Sequence, residues 1–322
     1  MCVTRIRKNL KRRRFSSLFL PRLPQADRTG TLSSEGVRRR QTSVGALLAT
    51  ACARVLRLDA CLLDAGSVRA NRSYARAFTF ANLRAEFPFE NLIVPVRMPG
   101  AVVDAAVRAS RTAGEAVRGR EAATDYGFYL QCDVGIETAV RPVSKSDGED
   151  GGGDGRSEGQ QQQEVHVTKI AGQPISFRRE YTVGVCVDLG FGSGKNQPMM
   201  DWARAHPGAV PSPEAGRPGK QLVLEYFSRL LWEKLPGFDR IDTDGSGDLT
   251  RDEVRRAYVG ALADVNRDGV VDAAEREAAE RMADILLAAV DVNADGKITR
   301  AEYEPVRILQ STFLDWTPGS QL

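Results

Sequence analysis

Apolar residues recur at helical spacing over residues 40–58, where Val44, Leu47, Leu48, Ala51 and Val55 fall on one face. Short apolar runs of strand length follow at Ala60–Leu63 and Leu92–Met98. Pro99-Gly100 marks a turn ahead of a small-residue helix over Ala101–Ala113. Phe128–Leu130 and Val165–Ile170 read as further strands, and Tyr181–Val187 as a buried one. Interleaved helices and strands of this kind predict an α+β layered domain. Beyond it, Leu222, Val223, Tyr226, Phe227, Leu230, Leu231 and Trp232 form a broad helical stripe, read as facing a core. Helices over Val254–Ala263 and Arg276–Val290 then alternate with polar loops, so this part is expected to be an all-α domain.

Two stretches break the pattern. Ser144–Gln163 contains no apolar residue and is rich in Gly, Asp and Gln, so it cannot bury a core and is expected to be disordered. It lies between two strands and reads as an expanded hairpin loop, an insertion that costs little. His206–Lys220 holds four prolines and three glycines and is expected to link the two domains. Residues 1–26 carry eight Lys/Arg and no acid, with the first acid at Asp27. That composition is transit-like, and no secretory apolar segment follows it. The expected organisation is a basic leader over 1–30, a layered domain over 31–215 and a helical domain over 216–322.

Charge sharpens the division. The net charge is +3, but the chain from Lys220 onward holds 20 acids and 13 bases, or −7, leaving +10 on the rest. Such a split suggests two modules, with calcium ordering the acidic one and docking it on the basic body. Five cysteines without CxxC spacing argue against a disulfide framework or a zinc ribbon. Two histidines, His166 and His206, exclude any centre needing three. Each reads as a surface or linker histidine, and Cys186 as a small core residue. No apolar stretch approaches the ~20 residues of a membrane span, and no motif points to nucleic acid.

Three segments fit a twelve-residue calcium loop. The first offers Asp242, Asp244, Ser246, Asp248, Thr250 and Glu253. The second offers Asp264, Asn266, Asp268, Val270, Asp272 and Glu275, and the third Asp291, Asn293, Asp295, Lys297, Thr299 and Glu302. Calcium takes six to eight hard oxygens, so positions 1, 3 and 5 supply side-chain oxygens, position 7 a carbonyl, position 9 an oxygen often acting through water, and Glu at position 12 both carboxylate oxygens. Glycine at position 6 makes the turn, and all three loops have it. These segments resemble the EF-hand family. Dockerin-like modules are the rival, suggested by the DVNRDG and DVNADG runs, but Glu at every position 12 favours EF-hands. Loop starts lie 22 and 27 residues apart, so a single helix must separate successive loops. Loops at opposite ends of one helix cannot pair side by side. Loops one and three are therefore expected to meet, with Leu249 beside Ile298, and loop two to stand apart.

The body is similar to the C-terminal domain of the 5′-nucleotidase family over about residues 31–207. The resemblance rests on Arg40-Gln41-Thr42-Ser43-Val44-Gly45-Ala46-Leu47, on Leu63-Asp64-Ala65-Gly66-Ser67-Val68-Arg69, and on Phe87-Pro88-Phe89-Glu90-Asn91. Pro99-Gly100, Phe128 with Leu130-Gln131, and Ile170–Val183 follow in the family's order. The resemblance implies a nucleotide or nucleoside ligand. Arg40 and Arg69 would hold phosphate, Asp64 would stand where an asparagine contacts the ligand, and Phe89 would stack on the base. Departures occur at the second ring, which aligns with Asp188 while Phe191 lies three residues on, and at the ribose-binding aspartate, which aligns with Gly194. Phe87 and Phe89 as core aromatics, with Arg69 in a surface ion pair, is the plainer alternative.

Hydrolysis in that family belongs to an upstream metallophosphoesterase domain with D-x-H, G-D-x-x-D, G-N-H-(E/D) and G-H-x-H motifs. This sequence holds none of them, and the leader is too short to contain that domain. Gly190–Lys195 misses the phosphate-loop spacing, and H-E-x-x-H does not occur. The expectation is a calcium-binding protein with a nucleotide-recognition domain and no phosphatase activity of its own. The alternatives are part of a calcium-regulated nucleotide phosphohydrolase, or a scaffold whose body binds nothing.

Overall fold

The computed structural model describes residues 32–74, 78, 80–116, 128–142, 163–186, 196–264, 268–291 and 293–307. It divides into two compact units, one of residues 33–72 with 88–222, the other including 73–87 and everything from 223 onward. The first is a mixed α/β domain and the second is helical. The leader, the second-ring positions Asp188 and Phe191, the Gly190–Lys195 run and Asn266 lie outside the described residues.

The elements in chain order begin with β1 (Leu32–Ser33), α1 (Ser43–Leu56), β2 (Ala60–Asp64), β3 (Ser73–Tyr74) and α2 (Phe80–Glu86). Then come β4 (Leu92–Pro99), α3 (Gly100–Ala116), β5 (Leu130–Cys132), β6 (Glu137–Pro142), β7 (Gln163–Ile170), β8 (Gln173–Pro174), β9 (Glu180–Cys186) and α4 (Gln197–Ala205). The body closes with β10 (Arg217–Pro218). Its five-stranded sheet has the order β10-β4-β9-β2-β5, with β2 and β9 parallel and the other neighbours antiparallel. Every residue of β2 is buried, and so are four of the last five of β9 and all of β5. This explains their continuous apolar runs: a strand covered on both faces shows no alternation. The core gathers Leu62, Val94, Val96, Val107, Val183 and Val185 from these strands and α3.

Helix α1 starts where Thr42 caps it, its hydroxyl accepting from the Gly45 amide, and ends on Arg57 in the left-handed conformation. β6 and β7 pair antiparallel, with Pro142 opposite Gln163, so the polar insertion does join the two strands of a hairpin. Gln163 itself begins β7, and residues 143–162 lie outside the described set.

Three expectations need correction. Pro99-Gly100 is not a turn, because β4 runs straight into α3. Glycine is needed there for space: a Cβ would lie 2.4 Å from the Ser176 carbonyl oxygen. The strand expected at Phe128 begins at Leu130. The segment His206–Lys220 is not simply a linker, since β10 completes the sheet, pairing Arg217 with Ile93 and Pro218 with Leu92. Proline lacks a ladder donor and suits an edge strand. Gly216 fits because a Cβ would meet Val94 Cγ2 at 2.8 Å.

Two buried polar groups lock the body. The Gln131 carboxamide accepts from the Thr42 amide (2.8 Å) and hydroxyl (3.0 Å), and donates to the carbonyls of Val37 (2.8 Å) and Arg40 (2.7 Å). Gly45 packs so closely on it that a Cβ would lie 2.1 Å from Gln131 Oε1. Asp133 accepts from the amides of Cys61 (2.6 Å) and Gly135 (2.7 Å), yet its burial pushes the carboxyl pKa up to about 6. His166 is not a loose surface residue. Its Nδ1 lies 3.2 Å from the buried Asp104 carboxylate and its Nε2 3.6 Å from Glu164.

In the helical unit, α5 (Gly219–Trp232) precedes α6 (Phe238–Ile241), β11 (Asp248–Thr250), α7 (Arg251–Leu262), α8 (Ala273–Val290), β12 (Lys297–Thr299) and α9 (Arg300–Arg307). The apolar stripe of α5 faces a core as expected: Val223, Tyr226, Phe227, Leu231 and Trp232 are buried. Tyr303 meets the rings of Trp232 (5.7 Å) and Phe238 (5.4 Å) edge-on. Arg255 grips Asp284 with two bonds of 2.8 and 2.7 Å, joining α7 to α8. No helix among the described residues is long and apolar enough to cross a membrane.

Candidate calcium loops and nucleotide face

Each of the three loops turns on a glycine with positive φ, Gly247 (+84°), Gly269 (+85°) and Gly296 (+88°). Only a residue without a Cβ adopts that geometry freely. The turn aims its amide back at the first aspartate, so Gly247 donates to Asp242 Oδ2 (3.0 Å), Gly269 to Asp264 Oδ2 (3.1 Å) and Gly296 to Asp291 Oδ2 (3.0 Å). In loop one the position-3 carboxylate also accepts from the Ser246 amide (3.0 Å). Loop three repeats this with Asn293 Oδ1 accepting from the Asp295 amide (2.9 Å).

The twelfth residue is fixed by the helix that follows. Thr250 caps α7, and Glu253 accepts in return from the Thr250 amide (2.9 Å) and hydroxyl (2.7 Å). Its other oxygen accepts from Thr243. Burial opposes the charge of Glu253, yet these donors hold its carboxyl down at about 2, so it stays ionised. Donor oxygens of Asp242, Asp244 and Glu253 all lie within 4.8 Å of one another. Such a cluster of hard, charged oxygens around one point fits a divalent cation. Glu302 accepts from Thr299 in the same way, at 3.0 and 2.9 Å.

The pairing of loops follows the spacing argument. β11 and β12 run antiparallel with Leu249 opposite Ile298, and both side chains are fully buried. In loop two, Val270 is 65% exposed, and Asp272 and Glu275 form the capping box of α8. Spacing alone placed Leu249 beside Ile298, because the single helices between loops leave no other arrangement.

On the body, the arginine segments are laced together. The Gly36 amide donates to Asn71 Oδ1 (3.0 Å), and the Ser34 amide to the Arg72 carbonyl (2.9 Å). Arg40 reaches back to the Glu35 carbonyl (3.0 Å) and is exposed. Asp64 is buried and accepts from the Ser67 hydroxyl (2.6 Å), which itself accepts from Asn91 Nδ2 (2.6 Å). Asn91 closes the Pro88-Phe89-Glu90 loop. Phe87 is a core ring, whereas Phe89 is 44% exposed with the Arg69 guanidinium 5.0 Å from its centroid. The plainer alternative therefore holds for Phe87 but describes neither Phe89 nor Arg69. A cation over a half-exposed ring is worth about 0.5–1 kcal/mol and keeps both groups at the surface.

Sequence reasoning gave no role to Ser67 or Asn91, which stood inside quoted motifs, nor to Lys220. Lys220 donates to the Pro88 carbonyl (3.1 Å) and lies 3.8 Å from Glu90. Nothing local marks it, because its partner is 132 residues away.

A family model described as the 5′-nucleotidase C-terminal domain matches residues 24–201, and an EF-hand model matches residues 237–258 and 282–304. Lys220 lies outside both. Among solved structures, a 5′-nucleotidase precursor from Thermus thermophilus is 17% identical with a TM-score of 0.45, covering 71% of this chain and 39% of that one. The NAD nucleotidase of Haemophilus influenzae is 13% identical with a TM-score of 0.45, covering 70% of this chain and 37% of that one. The chain thus spans about two-fifths of the length of these structures. No curated protein matches.

Proposed function

This chain belongs to the 5′-nucleotidase C-terminal domain family, and from that premise we propose that it is a calcium-binding protein whose EF-hands serve alongside a nucleotide-recognition domain. The carrying observation is the convergence of Asp242, Asp244 and Glu253 in a loop whose strand is bridged to loop three. In this reading the side chains of Asp242, Asp244, Ser246, Thr250 and Glu253, with the Asp248 carbonyl, hold calcium in loop one. Asp291, Asn293, Asp295, Thr299 and Glu302 with the Lys297 carbonyl do so in loop three. Asp264, Asn266, Asp268, Asp272 and Glu275 with the Val270 carbonyl make a separate, weaker site in loop two. The bound cation would supply charge to neutralise these carboxylates and so order the loops.

On the body, Arg40 and Arg69 would hold the phosphate of a nucleotide and Phe89 one face of its base, with Phe191 as the candidate for the other. The observation in support is Arg69 lying over the half-exposed Phe89 ring. Calorimetric titration of the full chain tests both parts. Calcium is expected to bind, with heat abolished by a chelator, and AMP to bind with the domain's own heat. Absence of a calcium heat would sink the first part, and absence of an AMP heat the second.

A second reading is favoured by the family model itself, which describes a C-terminal domain. The chain would then belong to a longer, calcium-regulated nucleotide phosphohydrolase. The intact mass of the endogenous protein separates the readings: a value near 35.2 kDa supports the first, and one tens of kDa higher the second.

A further inference from the structure

The short loop that carries Phe89 is anchored from two sides. On one side Asn91 Nδ2 donates to Ser67 Oγ at 2.6 Å, tying the loop to the Asp64–Ser67 turn. On the other side the segment after β10 clamps it twice. The Gly219 amide donates to the Asn91 carbonyl (2.8 Å), and Lys220 Nζ to the Pro88 carbonyl (3.1 Å). The Lys220 side chain is only 17% exposed, while Glu90, 3.8 Å from its ammonium, is 61% exposed.

The side chain is mostly covered while the ammonium's bond to Pro88 stays at the surface, as a long basic side chain laid along the protein allows. An ion pair with an exposed carboxylate contributes little. The bond to a backbone carbonyl is the stronger one, because a charged donor roughly doubles a neutral hydrogen bond. Its effect is to fix the peptide immediately before Phe89. Without it, the core ring of Phe87 and the bonds of Asn91 still hold the two ends of the loop, but the peptide between Pro88 and Phe89 loses its clamp and the ring its fixed place.

We propose that Lys220 is a positioning residue for base recognition: by holding the Pro88 carbonyl it keeps the Phe89 ring at the surface, under Arg69, where a nucleobase stacks. The ligand class is a nucleoside or its monophosphate. The inference rests on the nucleotide reading of Arg69 and Phe89, but goes beyond it, since Lys220 lies outside the residues matched by the family model. A ring held in place binds better than one that must first be ordered, because the ordering is drawn from the binding energy.

The test uses the full chain with Lys220→Met, Lys220→Arg, Phe89→Ala and the double variant Lys220→Met/Phe89→Ala. Calorimetry is run with adenosine, which needs the ring, and with ribose 5-phosphate, which does not. Lys220→Met is expected to weaken adenosine about five-fold while leaving ribose 5-phosphate unchanged, and Lys220→Arg to restore most of the loss. In the Phe89→Ala background, Lys220→Met is expected to add nothing, because two residues acting through one contact are not additive. Unchanged adenosine binding in Lys220→Met, additive losses in the double variant, or equal loss of both probes would each overturn the inference. Wild-type protein that binds neither probe would overturn the nucleotide reading and this inference together, whereas wild-type binding that Lys220→Met leaves intact overturns this inference alone.

Discussion

Loop one takes Asp242, Asp244 and Glu253 from twelve consecutive residues, and its glycine and threonine hydrogen bonds close within the same stretch. The proposed nucleotide face would draw Arg40, Asp64, Arg69 and Phe89 from separate stretches of chain, where Gln131 bonds to the Arg40 carbonyl and Lys220 to the Pro88 carbonyl. The first kind of site is a local motif and the second a product of the fold. Damage should follow that difference: distant substitutions should disturb the face, and only local ones the loops.

Gln131→Ala is the strongest way to press that contrast. It leaves the Thr42 amide and hydroxyl and two carbonyls without their partner, so the body should lose about 4 kcal/mol. Urea unfolding of the full chain should show this loss, with calcium affinity unchanged; a parallel loss of calcium binding would break the comparison.

Within the helical unit the loops themselves differ. Leu249→Ala removes a fully buried side chain from the strand bridge and should cost about 3 kcal/mol. Val271→Ala, at the matching position of loop two, should cost less than about 1 kcal/mol, because no strand partner stands opposite it among the described residues. Equal losses in thermal unfolding would remove the distinction between paired and unpaired loops.

A loss of stability with rising pH should belong to the body. The folded pKa of Asp133 lies near 6, above the usual carboxylate value, because of burial. Below about pH 4 it is protonated in both states and carries no penalty. Between about pH 4 and 6 the unfolded chain ionises first, so stability falls by up to about 3 kcal/mol and stays lowered above that range. Measured against Asp133→Asn, the wild type should lose stability over this window. A flat difference would mean that Asp133 ionises normally in the fold. Arg69→Ala should weaken adenosine binding by about 1 kcal/mol through the lost stack with Phe89.

The same contrast explains what could be read in advance. The loops, their glycines and the Leu249–Ile298 pairing follow from spacing alone, since each donor and turn lies within one segment. β2 and most of β9 were legible as apolar runs because both their faces are covered, and β4 because Ile93, Val94, Val96 and Met98 are buried. β10 was not, because a two-residue edge strand with Pro218 carries the composition of a linker. Gln131 and Lys220 were invisible as anchors for a related reason: their partners are 89 to 132 residues away, and polarity alone does not say that a side chain is buried. Asp64 and Arg69 were found only through the resemblance, and their company with Ser67, Asn91 and Phe89 emerged from the fold.

The central claim is that loops one and three bind calcium as one bridged unit, with loop two separate. The most direct test is a calcium titration followed by NMR at the amides of Gly247, Gly269 and Gly296, each bonded to the first aspartate of its loop. The account predicts that Gly247 and Gly296 shift together over one range of calcium, while Gly269 shifts over a higher one. Gly247 moving with Gly269 instead of Gly296, or no shift at any of the three, would contradict it.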